Sequence, residues 1–354
     1  MTDLLALTRD LVAIPSVSHD EAAIVDWLEV ELGAVPWLDV ERVGLNLVAR
    51  THLGRPTRVL LAGHTDTVPV NGNAVPRVEG DVLWGLGATD MKAGLAVMVE
   101  LARTVAEPAV DVTYVFYAAE EVAAVHNGLG HLFRDRPDLL EADVALLGEP
   151  TDAIIEAGCQ GTLRLQVTLR GARSHTARPW MGRNAIHRLG RVLAAVEAHP
   201  TREPEIDGCR FRESLQAVAV TGGVAANVVP DLATLTLNHR FAPDRSAAEA
   251  EAAVRAVLAP FLEEGDEVEL VDVAGAAAPA LDHPVLAALI ARNQLPVEAK
   301  LGWTDVARFA ERGIPAANFG PGDATIAHTA DERVARTPID RCFAALDELL
   351  RTGP

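Results

Sequence analysis

The first part of the chain has the spacing of an α/β domain. Apolar residues recur at helical spacing over 3–13 and 20–33, and Ser18 to Glu21 has the form of a capping box ahead of the second run. Nearly continuous apolar runs predict buried strands, and helical patterns lie between and beside them. The runs are residues 58–63, 112–118 and 143–147, and the helical patterns lie near 92–106 and 127–134. This order predicts a mostly parallel central sheet covered by helices.

From about residue 161 the pattern changes to the alternation of a half-exposed strand, in "TLRLQVTLRG". The predicted elements that follow are a helix from Asn184, strands at 215–222 and 232–241, a helix from Ser246 and a strand at 267–273. The order β-α-β-β-α-β is typical of a ferredoxin-like unit. We therefore expect an inserted α+β domain at 161–274 within a larger domain formed by 1–160 and 275–354.

Composition narrows the range of partners. A chain of 354 residues with 49% apolar content can fill two cores, and a formal net charge of −19 argues against nucleic acid or an anionic membrane as partner. The three cysteines form no CxxC pair, so we expect neither a disulfide framework nor a thiolate metal site. There is no leader pattern and no apolar run of membrane length. These features predict a cytoplasmic enzyme or binding protein.

Polar side chains follow the predicted strands at the point where each strand ends. In "LLAGHTDTVP", His64 and Asp66 end an apolar run, which is where parallel α/β sheets bind ligands. Positions i and i+2 of an extended chain face the same side, so Asp66 can contact one imidazole nitrogen while the other binds a metal. A polar strand-to-loop turn is the plain alternative.

Further candidate ligands occupy similar positions. They are Asp90 in "GLGATDMKAG", Glu120 and Glu121 after "YVFYAA", Glu149 in "LLGEPT" and His328 in "DATIAHTADE". Each has a structural alternative, such as a helix cap, a surface pair or a turn. Together they form a mixed nitrogen and oxygen donor set that suits zinc, cobalt or manganese. Two metal ions bridged by one carboxylate is the simplest hypothesis.

Seven motifs in order extend this interpretation to a family. They are "GHTDTVP", "GLGATDMKAG", "AAEEV", "LLGEPT", "GARSHTARP", "GGVAANVVPD" and "FGPGDATIAHTADE". The chain resembles the co-catalytic-zinc aminoacylase and carboxypeptidase superfamily over essentially its whole length. Within it, "EAGCQGTLR" and the overall likeness resemble the desuccinylase branch found in actinobacteria. The resemblance implies a catalytic domain with a zinc-exopeptidase-like fold and an inserted lid and dimerisation domain.

The resemblance also assigns roles to the candidate residues. It implies one zinc ion held by His64 and Glu149, a second held by Glu121 and His328, and Asp90 bridging the two. Asp66 would orient His64, Glu120 would be the general base, and the peptide bond after Asp90 would be cis. Cobalt or manganese could replace zinc.

The inserted domain supplies further candidates by the same resemblance. His175 would stabilise the oxyanion from across a homodimer interface, and the substrate-binding candidates are Asn227, Arg240, Thr304 and Thr162. Without the motif order, the simpler interpretation of these residues is an ordinary loop or strand position with no role in binding. The chain departs from many relatives at Cys159 to Thr162, where those relatives have an Arg-Arg-Gly-Ser segment that contacts substrate. Arg164, Arg173 or Arg178 could supply the missing guanidinium.

The resemblance implies a reaction: hydrolysis of N-succinyl-LL-2,6-diaminopimelate to succinate and LL-2,6-diaminopimelate, in lysine and cell-wall precursor synthesis. An N-acetyl-amino-acid deacetylase, such as one acting on acetylornithine, and a small-peptide carboxypeptidase are alternatives of the same class. A catalytically silent ligand-binding relative is an alternative of a different class, although the retained Glu120 and the complete ligand set argue against it.

Overall fold

The computed structural model describes residues 3–354, which form two compact units. Unit 1 comprises the described residues up to Ala157 together with Pro279–Glu298 and Arg308–Pro354. Unit 2 comprises Gly158–Ala278 and Ala299–Ala307. The predicted boundaries placed the segment 299–307 with the larger domain, whereas its contacts place it in unit 2.

The described residues contain nine α-helices and nineteen strands. The helices are α1 (Leu4–Val12), α2 (Ala22–Gly33), α3 (Ala93–Thr104), α4 (Gly128–Asp135), α5 (Ala185–Glu197), α6 (Ala247–Leu258), α7 (Pro284–Asn293), α8 (Val306–Ala310) and α9 (Arg336–Thr352). The strands are β1 (Asp39–Val43), β2 (Asn46–Arg50), β3 (Arg58–His64), β4 (Arg77–Glu79), β5 (Val82–Trp84), β6 (Asp111–Tyr117), β7 (Val144–Leu147), β8 (Ile155–Ala157), β9 (Gly161–Arg170), β10 (Ser174–His175), β11 (Glu205–Ile206), β12 (Cys209–Arg210), β13 (Ser214–Gly222), β14 (Val228–Val229), β15 (Leu232–Phe241), β16 (Glu267–Ala274), β17 (Val297–Ala299), β18 (Ala316–Asn318) and β19 (Arg333–Ala335). No helix in this part of the chain is both long and apolar enough to span a membrane.

Unit 1 is built on a central sheet of eight strands in the order β1-β2-β6-β3-β7-β18-β8-β17. Its four middle strands run parallel to one another, and β1, β2 and β8 pair antiparallel with their neighbours. Every residue of β6 and β7 is buried, which explains why these strands have nearly continuous apolar sequences. The predicted α/β fold class is confirmed. The sheet is larger than predicted, because antiparallel strands pair on both sides of its parallel centre.

The predicted capping box ahead of α2 is wrong. The side chain at the first turn of α2 makes no capping hydrogen bond. Instead, the Ser18 hydroxyl donates to Asp66 Oδ2 at 2.7 Å, and Glu21 accepts a hydrogen bond from the Ala119 N–H at 3.1 Å. These polar residues therefore support the edge of the sheet and not the helix.

Unit 2 is built on an antiparallel four-stranded sheet in the order β13-β15-β9-β16. Along the chain these are the second, third, first and fourth strands, which is the ferredoxin-like order that the sequence predicted. Asn184 caps α5, and Ser246 and Glu249 form a capping box on α6. Both helices pack on the apolar face of the sheet, so its opposite face presents polar side chains.

Candidate active site

The candidate ligands of unit 1 meet because they follow neighbouring parallel strands. His64 is the last residue of β3 and pairs in register with Tyr117, the last residue of β6, so the Glu120–Glu121 turn begins beside it. Ala62 pairs with Leu147 on β7, and the Gly148 N–H donates to the Ala62 carbonyl at 2.9 Å. This register brings Glu149 level with His64. The carboxyl ends of the parallel strands thus lie side by side, as the sequence predicted. This end of the sheet is called the carboxyl edge below.

Asp90 lies between the two histidines of this edge. Its Oδ1 is 3.0 Å from His64 Nε2, and its Oδ2 is 3.3 Å from His328 Nε2. His328 Nε2 is also 2.8 Å from Glu121 Oε1. Donor atoms of His64, Asp90 and Glu121 all lie within 4.8 Å of one another, a spacing that could hold a metal ion. Asp90 therefore directs one carboxylate oxygen toward each histidine.

The charges at the carboxyl edge of the sheet favour the binding of cations. Burial opposes a charge on His64, but Asp66 and Asp90 outweigh it and raise the pKa of His64 well above its usual value. Hydrogen bonds to Asp90 and Glu121 raise the pKa of His328 to about 10. Burial acts to raise the pKa of Asp90, but the two histidines hold it well below its usual range. A divalent cation would take the place of the protons that these carboxylates attract.

Asp66 does more than the sequence predicted. His64 Nδ1 is 3.1 Å from the main-chain carbonyl of Asp66 and 3.5 Å from its carboxylate, so both groups can hold the ring. The same carboxylate accepts hydrogen bonds from the Glu120 N–H at 3.0 Å and the Glu121 N–H at 3.1 Å. Burial disfavours its charge, but the bonds from His64 and Ser18 prevail and lower the pKa of Asp66 to about 2. Asp66 thus anchors the turn that carries Glu120 and Glu121.

Two buried charged residues near Asp90 were not found from the sequence. Glu332 Oε1 accepts hydrogen bonds from the Thr89 and Asp90 N–H groups, each at 3.1 Å, and burial raises the pKa of Glu332 to about 6. Lys92 Nζ donates to the Ile14 carbonyl at 2.7 Å, and burial lowers the pKa of Lys92 to about 8. Neither residue follows an apolar strand, which was the signal used to find the others. The peptide bond between Asp90 and Met91 is cis, as the resemblance implied.

Unit 2 brings His175 and Asn227 together. His175 on β10 pairs with Val228 on β14, and the Thr176 N–H donates to the Asn227 carbonyl at 3.0 Å. The Ala177 N–H donates to His175 Nδ1 at 3.0 Å, which leaves the proton on Nε2. His175 is exposed, so its Nε2–H can donate to an outside group.

The other substrate-binding candidates of unit 2 lie around β9. Arg240 pairs in register with Thr162, whose hydroxyl accepts a hydrogen bond from Asn238 Nδ2 at 3.2 Å. The Thr304 carbonyl accepts a hydrogen bond from Cys159 Sγ at 3.7 Å, which ties the segment 299–307 to the start of β9. Burial lowers the pKa of Arg240, and the neighbouring charge of Arg164 acts in the same direction.

The structure distinguishes the arginines that could replace the missing guanidinium. Arg164 pairs in register with Asn238, so it lies diagonally from Arg240 on the polar face of the sheet. Asp272 pairs with Arg164 on the other side, yet within residues 3–354 neither Arg164 nor Arg240 makes an ion pair within 4.0 Å. Arg173 instead pairs with Asp231 at 2.8 Å. Of these two arginines, Arg173 is therefore the one already held in an ion pair.

Comparison with known proteins shows the family. A profile of Peptidase family M20/M25/M40 matches residues 60–352. The chain belongs to this M20 peptidase family. Membership makes it a hydrolase of a metal-dependent family and confirms the family that the motifs predicted.

The M20 relatives cover nearly the whole chain. A succinyl-diaminopimelate desuccinylase of Corynebacterium glutamicum is 46% identical over 354 residues, which cover 98% of this chain and 96% of that protein. A protein of Mycobacterium tuberculosis, named provisionally for the same activity, is 51% identical over 350 residues, or 99% of this chain and 97% of that protein. The solved structure of an M20 family metallo-carboxypeptidase from Sulfolobus solfataricus has a TM-score of 0.78, 16% identity and 99% coverage of both chains. At this identity the solved structure supports the M20 fold alone.

Proposed function

We propose that this protein is a metal-dependent desuccinylase that hydrolyses N-succinyl-LL-2,6-diaminopimelate to succinate and LL-2,6-diaminopimelate. The observation that carries the proposal is the near full-length identity of 46% to a protein of that name. The clustering of His64, Asp90 and Glu121 at the carboxyl end of the sheet gives a group that could hold a metal ion, which a metal-dependent hydrolase requires.

The residues of the edge fit two divalent metal ions. Asp90 directs a different oxygen toward each histidine, as a bridging carboxylate requires, and all candidate donors are imidazole nitrogens or carboxylate oxygens. His64 and Glu149 would hold one ion, His328 and Glu121 the other, and Asp90 both. We propose zinc as the metal, with cobalt or manganese able to replace it. When bound, the ions supply Lewis-acid chemistry, polarising the scissile carbonyl and making water a better nucleophile near neutral pH.

The chain's own residues would then direct the proton transfers. Asp66 holds the Glu120 N–H at 3.0 Å and so fixes the main chain that carries the proposed base. The Glu120 carboxylate accepts the proton of the attacking water and delivers it to the nitrogen of the leaving amine. The Nε2–H of His175, whose Nδ1 accepts from Ala177, would donate to the developing oxyanion.

Unit 2 would supply recognition of the substrate. We assign Asn227, Arg240, Thr162 and Thr304 to substrate binding by the family motifs. The Arg240 guanidinium has a planar fork suited to bidentate capture of a carboxylate. A succinyl group carries a carboxylate that an acetyl group lacks, so a site built for succinyl leaves a cation unpaired when acetyl binds. Such a group costs several kcal/mol, which corresponds to a preference of roughly a thousandfold or more in kcat/KM.

A substrate panel tests the proposal. Zinc-loaded enzyme is assayed side by side with N-succinyl-LL-2,6-diaminopimelate, N-acetylornithine, acetylmethionine and dipeptides. We expect the succinylated substrate to be hydrolysed most efficiently. Best turnover of N-acetylornithine would favour a deacetylase, and best turnover of a dipeptide would favour a carboxypeptidase. Either result would overturn the desuccinylase assignment, but the assignment as a metal-dependent hydrolase would still hold.

We further propose that the protein is a cytoplasmic homodimer that associates through unit 2. The edge strand β13 is exposed along most of its length, and an unpaired edge can extend a sheet across two copies. The three cysteines are free and buried, which suits a reducing compartment. Mixed dimers of His175→Ala and Glu120→Gln chains should recover part of the activity if His175 acts on the partner's site. No recovery after verified subunit exchange would place His175 and Glu120 of one chain in the same site.

A further inference from the structure

Glu332 connects the two loops that carry Asp90 and His328. Its side chain is buried, with 1% of the residue exposed, and it lies four positions after His328 and directly before β19. Oε1 accepts hydrogen bonds from two consecutive N–H groups, those of Thr89 and Asp90. Its main-chain carbonyl accepts another from the Gly85 N–H at 3.1 Å. One residue therefore contacts the turn of residues 85–90 at both of its ends.

These contacts act on the main chain from which the Asp90 side chain extends. The oxygens of Asp90 lie 3.0 and 3.3 Å from the two imidazoles, so a small rotation of the turn would move one oxygen away from its partner. The Thr89 and Asp90 N–H groups have Glu332 as their acceptor, and Thr89 is fully buried. Without an acceptor these donors would seek other partners, because a buried unsatisfied N–H is costly.

A carboxylate at this position is electrostatically unusual. Glu332 lies beside the Asp90 carboxylate, and like charges disfavour each other. The ammonium of Lys92, whose Nζ donates to the Ile14 carbonyl, is also buried here, and the charge of Glu332 acts to keep it protonated. A residue needed only to fill space would not require this arrangement of buried charges, so the arrangement points to a role in holding Asp90.

We propose that Glu332 is a positioning residue, which holds the main chain at Asp90 so that the carboxylate can bridge two metal ions. The proposal rests on the proposed metal-dependent function, but it does not depend on the identity of the substrate. Groups that orient metal ligands typically change metal affinity by about 10–100-fold when they are removed.

The test measures metal binding and local main-chain protection, and it uses no substrate. Glu332→Met keeps the volume but removes the acceptor, Glu332→Gln keeps an acceptor oxygen, and Asp111→Asn is a control with a buried carboxylate at the other end of β6. Zinc affinity is measured by chelator competition, and hydrogen exchange of residues 85–92 is measured by mass spectrometry on metal-free protein. Glu332→Ala replaces the Met variant if the latter does not fold.

We expect Glu332→Met to bind zinc about 10–100-fold more weakly and to exchange faster over 85–92, while Glu332→Gln and Asp111→Asn stay within about fivefold of wild-type affinity. Wild-type affinity and exchange in the Met variant would overturn the proposal. An equal loss in the Gln variant would also overturn it, because charge and not hydrogen bonding would then be responsible. If Glu332→Met weakens zinc binding but the wild-type enzyme does not hydrolyse the succinylated substrate best, the desuccinylase assignment is refuted and the role of Glu332 still holds.

Discussion

Replacement of Asp66 by asparagine tests whether this residue anchors the catalytic turn. Asp66 Oδ2 accepts from the Ser18 hydroxyl and the Glu121 N–H, and Oδ1 accepts from the Glu120 N–H. Asparagine has one carbonyl oxygen, so its NH₂ group must face at least one of these donors. Losing one hydrogen bond to a charged acceptor and leaving a part-buried N–H unsatisfied costs about 3 kcal/mol, or roughly 100-fold in the unfolding equilibrium.

Asp111 offers a closely matched control. Its Oδ1 accepts from the Thr51 hydroxyl and the Leu53 N–H, and its Oδ2 accepts from the Arg55 N–H, all at 2.8 Å. Asp111 begins β6, whereas the Glu120–Glu121 turn follows the end of that strand. Asp111→Asn should therefore lose similar stability without disturbing the candidate site.

Urea denaturation of metal-free protein measures the stability of both variants, and steady-state kinetics with zinc measures their turnover. We expect both to lose about 3 kcal/mol, but only Asp66→Asn to lose kcat, by about 100-fold or more. If Asp66→Asn were destabilised like the control and yet kept kcat within about threefold, Asp66 would not position the catalytic turn.

Three further predictions concern the proposed base, the proposed recognition site and an ion pair of unit 2. Glu120→Gln should lower turnover by about 100-fold or more while metal analysis still finds two equivalents of zinc; loss of metal would make Glu120 a ligand instead. Arg164→Gln should raise KM for the succinylated substrate about tenfold or more and leave KM for acetylated substrates unaffected. Arg173→Gln removes an arginine that is already paired with Asp231, so it should change neither KM value. Equal effects of the two substitutions would show that Arg164 does not recognise the succinyl carboxylate. Burial disfavours the charge of the Asp266 carboxylate, but its bond to Arg188 at 2.5 Å helps to lower its pKa. The stabilisation that this gives is therefore present above the ordinary aspartate pKa of about 4 and is lost as pH falls. Asp266→Asn should cost about 2–4 kcal/mol at pH 7, a difference that urea titrations should see shrink below pH 4; a constant difference would contradict the linkage.

The sequence predicted the elements well where burial repeats regularly. The predicted strand 232–241 matches β15, and the expected helix starts at Asn184 and Ser246 are the caps of α5 and α6. Each signal is local, because apolar spacing and capping residues act within one or two turns of chain. The strands β1 and β2 at the edge of the unit 1 sheet were missed, since β1 is only partly buried and has no continuous apolar run.

The sequence also indicated why several candidate residues of unit 1 lie near one another. His64 ends a buried strand and Glu121 follows the neighbouring one, and parallel strands bring such positions to the same end of the sheet. The family motifs added their chemistry, and the M20 relatives confirm the family. The roles assigned to the individual side chains remain predictions for the experiments above.

Only the tertiary structure decided which charged residues support that edge. Ser18 looked like a helix cap, yet its hydroxyl donates to Asp66, 48 positions away. Glu332 and Lys92 resemble surface residues in the sequence, because a charge gives no periodic signal when long-range packing buries it. Apolar spacing and motif order determined the fold and the ligand candidates from local and family patterns. Which backbone amides each carboxylate holds depended on contacts between distant segments, which no local pattern encodes.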